Sequence, residues 1–189
     1  MKTYISMLRG INVSGQKQMR MEALRQAYEK LNLRHVRSYI QSGNVVFESE
    51  ESDMELLAGR IEAQIEKAFG LVVPVFLREA HDFQRIIAGN PFLVGRSEDP
   101  GKLHVTFLYR PVAEIDPDRL RISGEQADEF VIGQQEVYLF CPNGYGKTKL
   151  TNTFFENKLK QPATTRNWRT ITALYEMAKA SESGEAWQN

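Results

Sequence analysis

The sequence predicts an α+β protein of two antiparallel sheets covered by helices. Three observations carry this. Residues 1–78 run strand, helix, strand, strand, helix, strand. From residue 79 onward strand, helix, strand, strand, helix recurs. Hairpin signals at Ser42-Gly43 and Gly133-Gln134 mark antiparallel neighbours.

Thr3–Leu8 is a compact apolar run rich in strand formers, closed by Arg9 and Gly10. A polar loop to Gln18 follows. Met21, Leu24, Tyr28 and Leu31 then recur at helical spacing, predicting an amphipathic helix over 19–32. Val36–Gln41 and Asn44–Glu48 read as paired strands. Ser52 with Glu55 forms a capping box before Met54, Leu57, Ile61, Ile65 and Ala68, a helix that ends near Gly70. Val72–Leu77 is a further strand, and Pro74 assigns it to an edge or a bulge. This order is that of the ferredoxin-like α/β plait. The second half opens with a helix over 79–88. Leu103–Tyr109 is a strand, Asp116-Pro117 starts a short helix, and Glu129–Ile132 pairs with Val137–Phe140. Helices over 147–160 and 168–181 follow, with Asn167 or Thr165 as the cap of the last. The expected division is a ferredoxin-like subdomain at 1–78 and a second plait-like subdomain with extra C-terminal helices at 79–189.

The bulk composition narrows the function classes. The chain has 189 residues, 42% hydrophobic and 25% charged, with 24 Lys+Arg against 24 Asp+Glu. This excludes a disordered tail, a collagen-like chain and a bulk polycation. Cys141 is the single cysteine, so no intrachain disulfide forms; it reads as a buried thiol. The first apolar stretch is too short for a signal peptide, and no run approaches the ~20 apolar residues of a membrane span. The cytoplasm is the expected compartment. His35, His81 and His104 lack metal-site spacing, so neither a metal nor a cofactor is expected.

Zero net charge hides a pattern. Residues 1–47 carry eight Lys/Arg against two Glu, and 141–170 six against one, while 51–133 carry nine against fifteen Asp/Glu. Two basic segments flanking an acidic one suit an anionic partner.

The plait sheet order is 4-1-3-2, so the end of the first strand lies beside the start of the third. The loop carrying Arg9, Gly10, Asn12, Ser14, Gly15 and Lys17 then meets the hairpin carrying Gln41, Ser42, Gly43 and Asn44, beside the first helix's N-terminus. Helix N–H groups favour anions there, Arg9 and Lys17 add charge, and the amides and hydroxyl add neutral hydrogen bonds. Each loop alone reads better as an ordinary turn, and it is their convergence that favours a ligand site. In the second half, Gly146-Lys147-Thr148 matches the end of a phosphate-binding loop, but Cys141 stands where the first glycine is required, which excludes a nucleotide-hydrolysing site. What is left is a glycine loop opening a helix, with Lys147 as an anion contact. Arg166, just before the last helix, is the residue there that would point at a ligand; the alternative is a carbonyl clamp.

Leu8-Arg9-Gly10-Ile11-Asn12-Val13, Tyr39 through Phe47, Asn90-Pro91-Phe92 and Thr164 through Thr170 resemble the signatures of the domain of unknown function 1697 family. The resemblance implies a bacterial-type single chain of two ferredoxin-like subdomains and implies no activity. The loop reads Val13-Ser14-Gly15 where the family usually has two glycines.

The expected function is a binding module for an anionic ligand, a phosphate-bearing small molecule or nucleic acid, at the loop end of the first sheet. The residues are Arg9, Asn12, Lys17, Gln41, Ser42 and Asn44, with Lys147 and Arg166 in the second half. Tyr4, Tyr39 and Phe47 are strand aromatics, but Ser42–Phe47 matches only the tail of an RNA-binding signature, so the sheet faces are expected to be core. The alternatives are an enzyme on a small phosphorylated or carboxylated substrate, for which no general base is evident, and a protein-interaction unit. Oligomeric state is not read from the sequence.

Overall fold

The computed structural model describes residues 1–13, 15, 17–112, 120 and 127–184. The chain divides into two compact units, Met1–Arg85 with the stretch from Ala173, and Ile86–Thr172. Each holds a four-stranded antiparallel sheet.

The first sheet comprises β1 (Lys2–Leu8), β2 (Arg34–Tyr39), β3 (Asn44–Ser49) and β4 (Val75–Glu79). Its order is β2-β3-β1-β4. Pro74 lies just before β4, an edge strand, where a missing N–H costs no ladder bond. Helices α1 (Met21–Glu29) and α2 (Met54–Phe69) cover one face. Tyr4, Leu8, Val45, Phe47, Val75 and Leu77 from alternate strand positions bury against Met21, Leu24 and Tyr28 of α1 and Leu57, Ile61 and Ile65 of α2. The periods of two and 3.6 meet in this layer. One polar pair is admitted and satisfied, Ser6 Oγ with Tyr28 Oη at 2.9 Å. All six positions of β3 are buried, so the sheet faces are core.

Asp53, not Ser52, caps α2. Its carboxylate accepts from the N–H groups of Glu55 and Leu56, both at 3.0 Å. The helix closes on Gly70 at φ +65°, a left-handed C-cap. Helix α3 (Ala80–Ala88) follows β4 directly.

The second sheet comprises β5 (Leu103–Leu108), β6 (Glu129–Ile132), β7 (Glu136–Phe140) and β8 (Ala163–Asn167), in the order β6-β7-β5-β8. Helices α4 (Asn152–Leu159) and α5 (Trp168–Ser183) complete the five helices among the described residues. Leu108, Val137, Leu139 and Ala163 pack with Leu150 and Phe155. The helix expected after Asp116-Pro117 lies outside the described residues.

Two expectations fail here. The helix expected from 147 is a single 3-10 turn, Tyr145–Lys147, and α4 starts only after Thr151, whose hydroxyl accepts from Phe154 N–H at 3.2 Å. The stretch before the last helix is a strand, β8, with Thr164, Thr165 and Arg166 in its ladder with β5. Asn167 does cap α5, accepting from Thr170 N–H at 2.8 Å.

The two sheets repeat one plan bond for bond. Where β1 ends, Leu8 N–H donates to Gly43 O at 2.9 Å and Arg9 N–H to Pro74 O at 3.0 Å; where β5 ends, Leu108 N–H donates to Gln135 O at 3.0 Å and Tyr109 N–H to Pro162 O at 3.2 Å. Ile5 opposes Arg78 as Val105 opposes Arg166. Both arginines are buried, and each donates from Nη1 to the preceding residue's carbonyl, at 2.7 and 2.9 Å.

Candidate functional site

At the end of the first sheet where β1 stops, three loops meet. Asn12, at φ +54°, donates from Nδ2 to Met19 O at 2.9 Å and to Gln41 O at 2.7 Å, while its Oδ1 accepts from Met19 N–H at 2.7 Å. The loop after β1 is thereby tied both to the hairpin before β3 and to the chain entering α1. Asn tolerates this left-handed conformation better than most residues. Gly43 needs its missing side chain. At φ +71°, a Cβ there would stand 2.6 Å from Ile11 Cδ1 and 2.8 Å from Leu8 Cβ. The third loop enters through Pro74 O, bonded to Arg9 N–H, and through Val72 O, which accepts from Lys17 Nζ at 3.0 Å.

Of the residues expected at this site, the structure gathers Arg9, Asn12, Lys17, Gln41, Ser42 and Asn44 on this rim and divides them by role. Asn12 is spent on internal bonds. Asn44 is fully buried and donates from Nδ2 to Ser42 Oγ at 3.0 Å and to Tyr39 O at 3.3 Å, so it braces the hairpin. Arg9 is half-buried, and Lys17 and Gln41 are exposed. Arg20, which the sequence reading passed over, sits exposed at the head of α1 and offers no side-chain cap. A basic residue immediately before a helix is the signal that could have found it. Glu62 turns its carboxylate to Val75 N–H at 2.8 Å, a structural use.

Lys147 and Arg166 belong to the second unit. Lys147 is exposed on the 3-10 turn. That turn is braced by Tyr145, stacked on His104 with ring centroids 4.7 Å apart. Arg166 is 8% exposed and donates to Thr164 Oγ1 at 2.8 Å as well as to Thr165 O. Through Nη1 it clamps β8 internally. Cys141 is fully buried, and burial pushes its thiol up to about 11 despite the Thr148 hydroxyl, so it is an inert thiol.

Three clefts open elsewhere in the first unit. One, of about 470 Å³, is lined by Lys2, Glu48, Glu79, His81, Lys179 and Ser181 among others. A second, of about 410 Å³, lies beside Arg34 and Arg60, and a third, of about 570 Å³, beside His35 and Arg37. None of the three is lined by a residue of the basic rim. The sequence reading also missed Glu48, the carboxylate that closes the apolar run Val45-Val46-Phe47. Its Oε1 accepts from Ser181 Oγ at 2.7 Å and lies 2.9 Å from His35 Nδ1. Burial works to raise its pKa, but the Ser181 and His35 bonds, with the charges of His35 and the Met1 N-terminus, outweigh that and hold it below the usual carboxylate range.

Among the described residues no group of three or more His, Cys, Asp or Glu is placed to hold a metal ion. No helix among them is long and apolar enough to cross a membrane.

Two four-stranded antiparallel sheets carrying helices, with a polar loop rim rather than a lined catalytic pocket, define the class: an α+β protein without a recognisable catalytic set among the described residues. The chain belongs to the DUF1697 family, proteins of unknown function, whose profile matches residues 1–138. A conserved bacterial protein from Streptococcus pneumoniae is similar in fold, with a TM-score of 0.71 and 24% identity over 94% of this chain and 98% of that one. No curated protein matches the chain.

Proposed function

We propose that the chain binds an anionic, phosphate-bearing ligand at the loop rim of its first sheet. The observation that carries this reading is the 2.7 Å bond from Asn12 Nδ2 to Gln41 O, which holds two polar loops together beside the head of α1. Asn12 and Asn44 act as the frame. Arg9, Lys17, Gln41 and Ser42 act as the ligand-facing set, with Arg20 adding charge. Arginine suits a phosphate because its planar fork donates two parallel bonds, and the uncapped α1 N–H groups add partial positive charge.

The same proposal reads each unit as a ferredoxin-like plait. The two matching strand orders support it, as does the sequence of elements in the first unit, β1-α1-β2-β3-α2-β4. In that arrangement loops from different strands converge at one sheet end, where an anion finds donors without a dedicated pocket.

Isothermal titration with inorganic pyrophosphate tests the reading. Saturable binding is expected, weakened as sodium chloride rises and weakened about tenfold by Arg9→Ala combined with Lys17→Ala, the loss of roughly one charge-assisted bond. No heat of binding, or unchanged affinity in the double variant, would overturn it.

A further inference from the structure

The opposite end of the first sheet holds a second, differently charged site. There β1 begins, β3 and β4 end, and the last turns of α5 line the 470 Å³ cleft. Its charges are unequally occupied. Glu79 is consumed on both oxygens, Oε1 by Lys2 Nζ at 2.8 Å and Oε2 by His81 Nδ1 at 3.3 Å. Glu48 is different. Both of its partners, Ser181 and His35, sit on Oε1, and Oε2 has no hydrogen-bond partner among the described residues. The residue is only 8% exposed yet lines the cleft. A buried carboxylate fixed through one oxygen presents the other as an oriented acceptor. Of the two lysines on the cleft wall, Lys2 is neutralised by Glu79, whereas Lys179 pairs more loosely with Glu176, at 3.6 Å on the surface. Lys179 is therefore the less committed of the two lysines. The rings and methyls of Tyr175 and Ala80 give the same wall an apolar part.

We propose that this cleft binds a small amine-bearing zwitterion of the amino-acid type, its ammonium taken by Glu48 Oε2 and its carboxylate by Lys179. An ammonium supplies a hydrogen bond to Oε2, which makes none, beside the charges of His35 and the Met1 N-terminus that already act on Glu48. The depressed pKa of Glu48 keeps the acceptor charged at neutral pH. The site is independent of the basic rim, which takes anions at the other end of the sheet.

The test uses L-norleucine and its two halves, pentylamine without the carboxylate and hexanoate without the amine, titrated into isotope-labelled protein and followed by NMR. L-norleucine is expected to shift the amides of Lys2, Glu48, Lys179 and Ser181 saturably. Pentylamine binds about tenfold more weakly, and hexanoate does not bind. Glu48→Gln abolishes the L-norleucine shifts. Lys179→Gln reduces L-norleucine to the affinity of pentylamine. In the unmodified protein the side-chain carboxyl resonance of Glu48 moves with both amines and stays fixed with hexanoate, a readout that stands even if Glu48→Gln fails to fold. No saturable shift with L-norleucine, equal binding of hexanoate, or unchanged binding in a folded Glu48→Gln variant would overturn the proposal.

Discussion

At position 12 a single side chain makes three hydrogen bonds, two to carbonyls and one from an amide, while its own backbone sits in the left-handed region. Few residues can do both. The amide group supplies donor and acceptor together, and Asn accepts a positive φ at low cost. The Asn12→Ala variant leaves Met19 N–H and two carbonyls without these partners and places a strained alanine in the turn. The expected loss is about 3 kcal/mol, the sum of two or three net hydrogen bonds and the left-handed penalty. It reads as a lower urea midpoint at unchanged slope. The sequence had singled out Asn12, Asn44 and Arg166 as ligand contacts. All three are polar residues of the kinds that contact ligands, and all three make hydrogen bonds within the fold. Residue type told that they bond something; only the coordinates told what.

Helix α2 shows how an element's boundary is decided by one carboxylate. Ser52 and Glu55 have the spacing of a capping box, but Asp53 stands one residue nearer and accepts from two N–H groups at the helix start. An ionised carboxylate is also the better partner for the positive end of the helix dipole. Asp53→Ala is therefore expected to lower stability by about 1 kcal/mol, and Ser52→Ala by a few tenths at most. Thermal unfolding of the two variants side by side checks this. Strand β8 was missed for a different reason. Ala163-Thr164-Thr165-Arg166-Asn167 has no apolar alternation, because its polar positions are satisfied within the fold, Thr165 Oγ1 by Thr106 at 2.8 Å and by Asn152 at 2.6 Å. Two adjacent β-branched threonines were the available signal.

Across the first unit, the last turn of α5 is fastened to the sheet by Ser181 on Glu48, residues 133 positions apart in the chain. This fastening is titratable. The folded pKa of Glu48 lies below its ordinary 4.5, so its contribution is fully present above that value and is lost as pH falls through the lower folded pKa. Unfolding free energies measured from pH 7 to pH 3 are expected to show the wild type's advantage over Glu48→Gln shrinking toward acid. A constant difference would show that the carboxylate's charge contributes nothing. At this scale the repetition of one hydrogen-bond plan in two sheets also explains Arg166. Its counterpart Arg78 occupies the same ladder position and makes the same backbone contact, so a shared structural demand accounts for both.

The sequence by itself determined seven of the eight strands among the described residues, the helices that cover the first sheet, the antiparallel class and the family, because periodicity, turn residues and ordered motifs are local signals. Tertiary structure decided which polar side chains are spent on holding the fold, and it alone revealed Glu48 with His35 and Ser181. Hydrogen-bond partners are chosen by proximity in space, and residues 35, 48 and 181 carry no spacing from which that proximity could be read.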